Sequence, residues 1–173
     1  MEKIIQMTSK KRVVLRPFEY FWHYSVCFFI LNGLLGIIYL DFMKNSEFVL
    51  KQYYYILFIL LIIMFYIQRR RLKFKIFKTN LSKKDIKDAI KETAIELNWI
   101  IDYQNNQITK AHREFDISTG GSWGEMITII YKDNHIYVNS ICNPNGLYPS
   151  VLSYGWNKKN INTFIHNLKQ SLK

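Results

Sequence analysis

The sequence has little that would carry chemistry. It holds two cysteines, Cys27 and Cys142, one inside an apolar run and one late in the chain. They fall on opposite sides of any plausible fold, so no bridge between them is expected, and cytoplasmic thiols stay reduced. The four histidines, His23, His112, His135 and His166, stand at no metal-ligand spacing with another His, Cys or acid. No metal and no cofactor are therefore expected. The glycine cluster Gly120-Gly121-Ser122-Trp123-Gly124-Glu125 precedes a strand-like run. Phosphate loops of the familiar kinds open onto a helix instead. A tight turn that sets Trp123 over a sheet is thus a stronger reading than a backbone nest for an anion. Cys142 as a nucleophile would need a base such as His112 or His135 beside it. A Ser–His–acid site using Ser122 or Ser140 rests on residue availability alone. No internal repeat signals a solenoid.

What the chain does have is two long apolar segments. Tyr53 to Ile67 is almost wholly apolar or aromatic and ends on Gln68-Arg69-Arg70-Arg71. A helix rises about 1.5 Å per residue, so a bilayer core of about 30 Å needs roughly 20 residues. Extension back to Phe48 gives a span over 48–67, with Lys51 near its outer end, where a long stem lets the ammonium reach the headgroups. Tyr20 to Leu40 is free of formal charge and crowded with aromatics at its start, as at a membrane interface. A signal peptide has a shorter apolar region, about 7–15 residues, and a small-residue cleavage site; Asp41-Phe42-Met43-Lys44 follows here, which favours an uncleaved span over 20–40. Asn32 within it is read as a packing or self-association contact.

Charge sets the expected orientation. Residues 1–16 carry Lys3, Lys10, Lys11, Arg12 and Arg16 against Glu2, and residues 69–84 carry eight bases, including Arg69, Arg70, Arg71, Lys73 and Lys75, with no acid. The connection 41–52 nets to zero. The positive-inside bias predicts a helical hairpin with both termini cytoplasmic. The chain then divides into a basic segment 1–19, span 20–40, external loop 41–47, span 48–67, basic juxtamembrane linker 68–81 and cytoplasmic domain 82–173. The formal net charge of +11 invites a nucleic-acid reading, but residues 79–173 hold 11 bases and nine acids. The excess sits on the membrane flanks, where the named bases attract anionic headgroups; a nucleic-acid binder concentrates bases on its folded surface. The stretch 73–78 alternates cation and hydrophobe, and reads equally as a helix or strand leaving the bilayer or as an interfacial segment.

From about Lys78 the periodicity is that of a globular α+β domain. Ser82-x-x-Asp85 is a capping box opening a helix to about Leu97, with Asn98 as its stop. Strand-like runs follow at 99–103, 108–117, 126–131 and 136–141, the last two forming a hairpin across 132–135. A second helix is expected over about 160–172, capped by Asn157 or Asn160. About four antiparallel strands with both helices on one face is the simplest architecture.

The series Ser122-Trp123-Gly124-Glu125-Met126-Ile127-Thr128-Ile129, then Val138-Asn139-Ser140, then Gly155-Trp156-Asn157 through Asn160-Ile161, resembles an uncharacterised bacterial domain pattern found in small membrane-tethered proteins. The resemblance covers about residues 82–172. It implies a mixed α/β domain and no known reaction; Cys142 departs from it, where such sequences often show Ser. Trp123, Glu125, Trp156 and Asn157 are the candidate partner- or ligand-binding residues, since Trp is enriched at interface hot spots. Glu125 is read as an ion-pair or ligand partner, or as a solvated edge group. The expected role is a non-enzymatic binding or scaffolding module at the cytoplasmic face of a bacterial membrane. The alternatives are an immunity or protective protein against a toxin, an accessory subunit of a membrane complex, and a lipid-facing enzyme.

Overall fold

The computed structural model describes residues 2–45, 51–116, 123–146 and 153–171. Helix α1 (Glu2–Lys10) is followed by α2 (Pro17–His23), α3 (Ser25–Asn45) and α4 (Gln52–Arg71). Strand β1 (Lys75–Lys78), helix α5 (Lys83–Leu97), strands β2 (Ile100–Gln104), β3 (Ile108–Arg113), β4 (Glu125–Lys132) and β5 (His135–Cys142), and helix α6 (Trp156–Gln170) complete the described elements. The expected Ile117, the Gly120-Gly121-Ser122 turn and the start of the second apolar segment at 48–50 lie outside the described residues.

Helices α3 and α4 are long and apolar enough to cross a membrane, at 21 and 20 residues. Only 11% of each apolar window is buried. Phe29, Leu40, Ile56 and Tyr66 all point outward. The boundaries differ from the sequence reading. The first apolar helix is interrupted at Tyr24, whose φ of −101° and ψ of 11° leave the helical region, so α2 is a separate short helix opened by Pro17 at its first turn. The second runs on to Arg71, a turn beyond Ile67, because cations suit a helix C-terminus. At the far end of the pair, Lys51 is bonded to Asp41 at 2.7 Å, and the hydroxyls of Tyr53 and Tyr54 donate to the same carboxylate.

The sheet has five strands in the order β1-β5-β4-β3-β2, all antiparallel. The expectation of about four missed β1. It sits in the stretch read as juxtamembrane linker, is four residues long, and takes its identity from pairing Lys75 with Val138 and Lys78 with His135. Ser82 and Asp85 form the reciprocal capping box, at 3.2 and 3.1 Å. Asn98 ends α5 in the left-handed conformation. Asp133 and Asn134 supply the two positive φ angles, 51° and 57°, that a tight β4–β5 hairpin needs.

Period-two alternation divides the sheet's side chains between two cores. Ala111, Ile127, Ile129, Ile136 and Val138 face α5 and α6, whose Ile86, Ile90, Phe164 and Leu168 cover them. Ile108, Ile130 and Ile141 face the other way and meet Met7, Val13, Leu15, Leu72 and Phe74. Helix α1 and the chain leading to α2 therefore close the second face of the sheet. The basic residues Lys10 and Lys11 are exposed on the outside of this layer.

Candidate functional site

Three of the four residues singled out from sequence converge at one end of the helix-covered face. Glu125 opens β4, an interior strand, and is fully buried. It is not a solvated edge group: Arg113 on the neighbouring strand donates Nε to Oε2 at 2.8 Å, and the register pairs Arg113 with Glu125 directly. The Arg113 guanidinium lies 3.7 Å from the centroid of the Trp156 ring, and Lys159 Nζ lies 4.1 Å from it. Both cations gain from the ring's electron-rich faces.

Asn157 does not cap α6, and neither does Asn160. The cap is Gly155, held at φ 89°, a conformation that costs glycine little. It starts the helix at Trp156, one turn before the expected position. Asn157 and Asn160 instead lie inside the helix and face the sheet. Ser140 donates to Asn157 Oδ1 at 3.1 Å, Asn160 donates to Ser140 at 3.1 Å, and Trp99 Nε1 donates to Asn160 Oδ1 at 3.0 Å. This chain of bonds, buried at Asn160, ties α6 to the sheet. Cys142 lies alongside, and burial first of all pushes its thiol up to about 11; a thiol held protonated is a poor nucleophile.

Trp123 is stacked on Phe115 with centroids 4.7 Å apart and planes at 13°. Gly124 beside it has φ 93°, and a Cβ there would lie 2.5 Å from the Arg113 carbonyl oxygen. Only glycine lets the chain pass this close to β3.

The basic residues expected at the membrane flanks gather where the apolar helices meet the sheet. The joint is made of backbone and side-chain bonds. Arg12 and Lys73 form an antiparallel bridge, the Val13 amide donates to the Leu72 carbonyl at 2.9 Å, and the Phe74 amide donates to that of Lys11 at 3.0 Å. Asn139, on β5, donates its Nδ2 to the carbonyls of Arg71 and Lys73, both at 2.8 Å. A sheet residue thus satisfies carbonyls that the end of α4 would leave open. Arg69, Arg70 and Lys75 are exposed beside this joint, and Arg71 is half-buried.

On the second face of the sheet, next to the joint, an open cleft of about 540 Å³ lies between the first turn of α2 and strands β2 and β3. Arg16, Glu19, Asp102, Lys110, His112 and Asn145 line it. Glu19 accepts from the Arg16 amide at 2.6 Å, from Arg16 Nε at 2.8 Å and from Asn145 at 3.2 Å. Burial alone would push this carboxyl up, but those bonds prevail and hold it below its ordinary value. Asp102 and His112 Nδ1 are 2.7 Å apart. Lys110 and His112 are two apart on β3 and share a face. Asp102 reaches them because the β2–β3 register shifts between Ile101 and Tyr103. The sequence reading missed Lys110, Asp102 and Arg113 altogether. The i,i+2 spacing of Lys110 and His112 was a visible signal; the bulge at Asp102 left none.

No family model matches this chain, and no curated protein matches it. Among the described residues no cluster of three or more His, Cys, Asp or Glu could hold a metal ion.

Proposed function

We propose that this chain is a membrane-anchored binding or scaffolding module working at the cytoplasmic face of a bacterial membrane. Helices α3 and α4 form the anchoring hairpin, and the five-stranded domain is the working part. The observation that carries this reading is the joint at the foot of the hairpin. The segments before α2 and after α4 pair with each other and share one core with the sheet, so both flanks of the hairpin leave it at the same end. The basic residues of both flanks therefore lie on one side, in agreement with the positive-inside bias. A domain fixed this way presents its surface to partners at a set height and orientation above the lipid.

The residues that looked most like chemistry support a binding role. Glu125 is taken up by Arg113, Asn157 by Ser140, and the Cys142 thiol is held protonated by burial. Trp123 and Phe115 stack on each other and are both exposed, and this aromatic pair is the surface offered to a protein partner.

The test is alkaline carbonate extraction of membranes from cells expressing the full chain, followed by photocrosslinking from a probe at Phe115. The expected result is a carbonate-resistant protein giving one discrete adduct, lost on Trp123→Ala. Release into the soluble fraction would contradict the anchoring. An unchanged adduct pattern in Trp123→Ala would contradict the aromatic docking surface.

A further inference from the structure

Asn32 places a carboxamide about two turns into α3, in a stretch from Val26 to Ile38 that is otherwise apolar. Its Nδ2 donates to the Phe28 carbonyl at 2.8 Å. That uses one of the group's two N–H donors and leaves Oδ1 without a bond among the described residues. The hydrocarbon of a bilayer has no water to complete the set. Sequence alone leaves two uses open, packing inside the hairpin or association beyond it. The fold separates them. The buried residues Cys27 and Leu34 stand seven apart and share one side of α3. Cys27 and Leu31 line the groove between the two long helices, facing Leu61, Ile62 and Phe65 of α4. At about 100° per residue, Asn32 lies about 160° around the helix from Leu34. It points away from α4, which therefore cannot satisfy it.

Asn32 is not alone on that side. Phe29, Asn32, Gly36, Tyr39 and Met43 alternate by three and four residues, the seam spacing of a left-handed coiled coil. All five fall within about 80° of one another, opposite α4. Phe29, Tyr39 and Met43 are 73%, 61% and 64% exposed, and a Cβ at Gly36 would meet nothing within 4 Å. By contrast α4 is wholly apolar from Ile56 to Phe65, and lipid chains suffice for its outer face.

We propose that this face of α3 pairs with the same face of a second copy of the chain. The proposal rests on the membrane anchoring above. Both copies insert under the same basic flanks and so run the same way through the bilayer. A two-fold axis along the bilayer normal then sets each seam residue opposite itself. A carboxamide is its own complement: each Asn32 donates its remaining N–H to the Oδ1 of the other. That polar match selects a second copy over a lipid chain or an apolar helix. Gly36, one turn on, lets the two backbones approach closely.

The test is Förster transfer between donor- and acceptor-labelled full chains in phosphatidylcholine–phosphatidylglycerol vesicles, titrated by diluting the protein with lipid. The wild type is expected to show transfer that disappears on dilution. Asn32→Leu should require about tenfold more protein per lipid for the same transfer, as for one interhelical bond in a membrane, and Asn32→Gln should retain most of the association. Gly36→Leu should abolish transfer with thermal unfolding unchanged, since a side chain there starts into open space in the single chain. In a Cys27→Ser/Cys142→Ser background, Phe29→Cys, Gly36→Cys and Met43→Cys should cross-link on oxidation, and Leu31→Cys and Ile37→Cys should not. Absence of transfer in the wild type at every dilution, an unshifted Asn32→Leu titration, or equal cross-linking at Leu31 and Ile37 would overturn the pairing. Carbonate extraction reads the anchor separately: a chain that resists it while staying monomeric loses the pairing and keeps the anchor, and a chain released by it loses both.

Discussion

Arg113 and Glu125 form the most consequential side-chain pair in the domain. Both are almost wholly buried, at 3% and 0% side-chain exposure. Taking two charges out of water is expensive, and their attraction offsets that only while both remain. Glu125→Ala leaves a buried guanidinium without its carboxylate and is expected to destabilise the domain by about 3–5 kcal/mol. Arg113→Met/Glu125→Leu removes both charges and should recover most of that loss, since an apolar replacement of a buried pair is often neutral. Denaturant melts of the two variants check this; equal destabilisation in both would show that Arg113 matters mainly through Trp156. The sequence leaves Glu125 open as an ion-pair partner, a ligand contact or a solvated edge group, and cannot name Arg113. The pairing comes from strand register across the segment between β3 and β4, and register is a long-range property.

At the level of elements, the decisive contact is Asn139 on β5 reaching the last carbonyls of α4. Replacement with Leu keeps the bulk and removes both donated bonds. Leaving a buried acceptor unpaired costs about 1–3 kcal/mol. Asn139→Leu should therefore loosen the junction while leaving the helix-covered core intact. Hydrogen exchange is the measurement: amides at 72–75 should exchange faster, with those of β4 unchanged. Uniform acceleration would show instead that Asn139 serves the whole sheet. Elements with local signals were legible in the sequence: α5 through its Ser82–Asp85 box, Asn98 as its stop, and the β4–β5 hairpin through its alternation and polar turn. Strand β1 was not, because four residues alternating Lys with Ile and Phe fit several environments. Only the partner strand β5 selects one. Helix α1 was missed for a similar reason: nine residues rich in charge look like a tail until Met7 finds Ile130 and Ile141.

At the scale of the whole molecule, the sheet is a hub with a different partner on each face. One face binds α5 and α6 and makes the domain. The other binds α1 and the chain at the foot of the apolar hairpin, and ties that domain to the hairpin. The sequence divides into spans and a domain joined by a linker; the fold replaces the linker with a strand and a shared core. The proposed anchoring puts the Asp41–Lys51 end of the hairpin and the five-stranded domain on opposite sides of the bilayer. Cysteine labelling of the full chain in intact cells tests that requirement most directly, in a Cys27→Ser/Cys142→Ser background. A thiol introduced by Lys44→Cys should react with a membrane-impermeant maleimide from outside, and one introduced by Lys159→Cys should react only after permeabilisation. Labelling of the Lys159 position in intact cells, or of neither position until the cells are opened, would contradict the account.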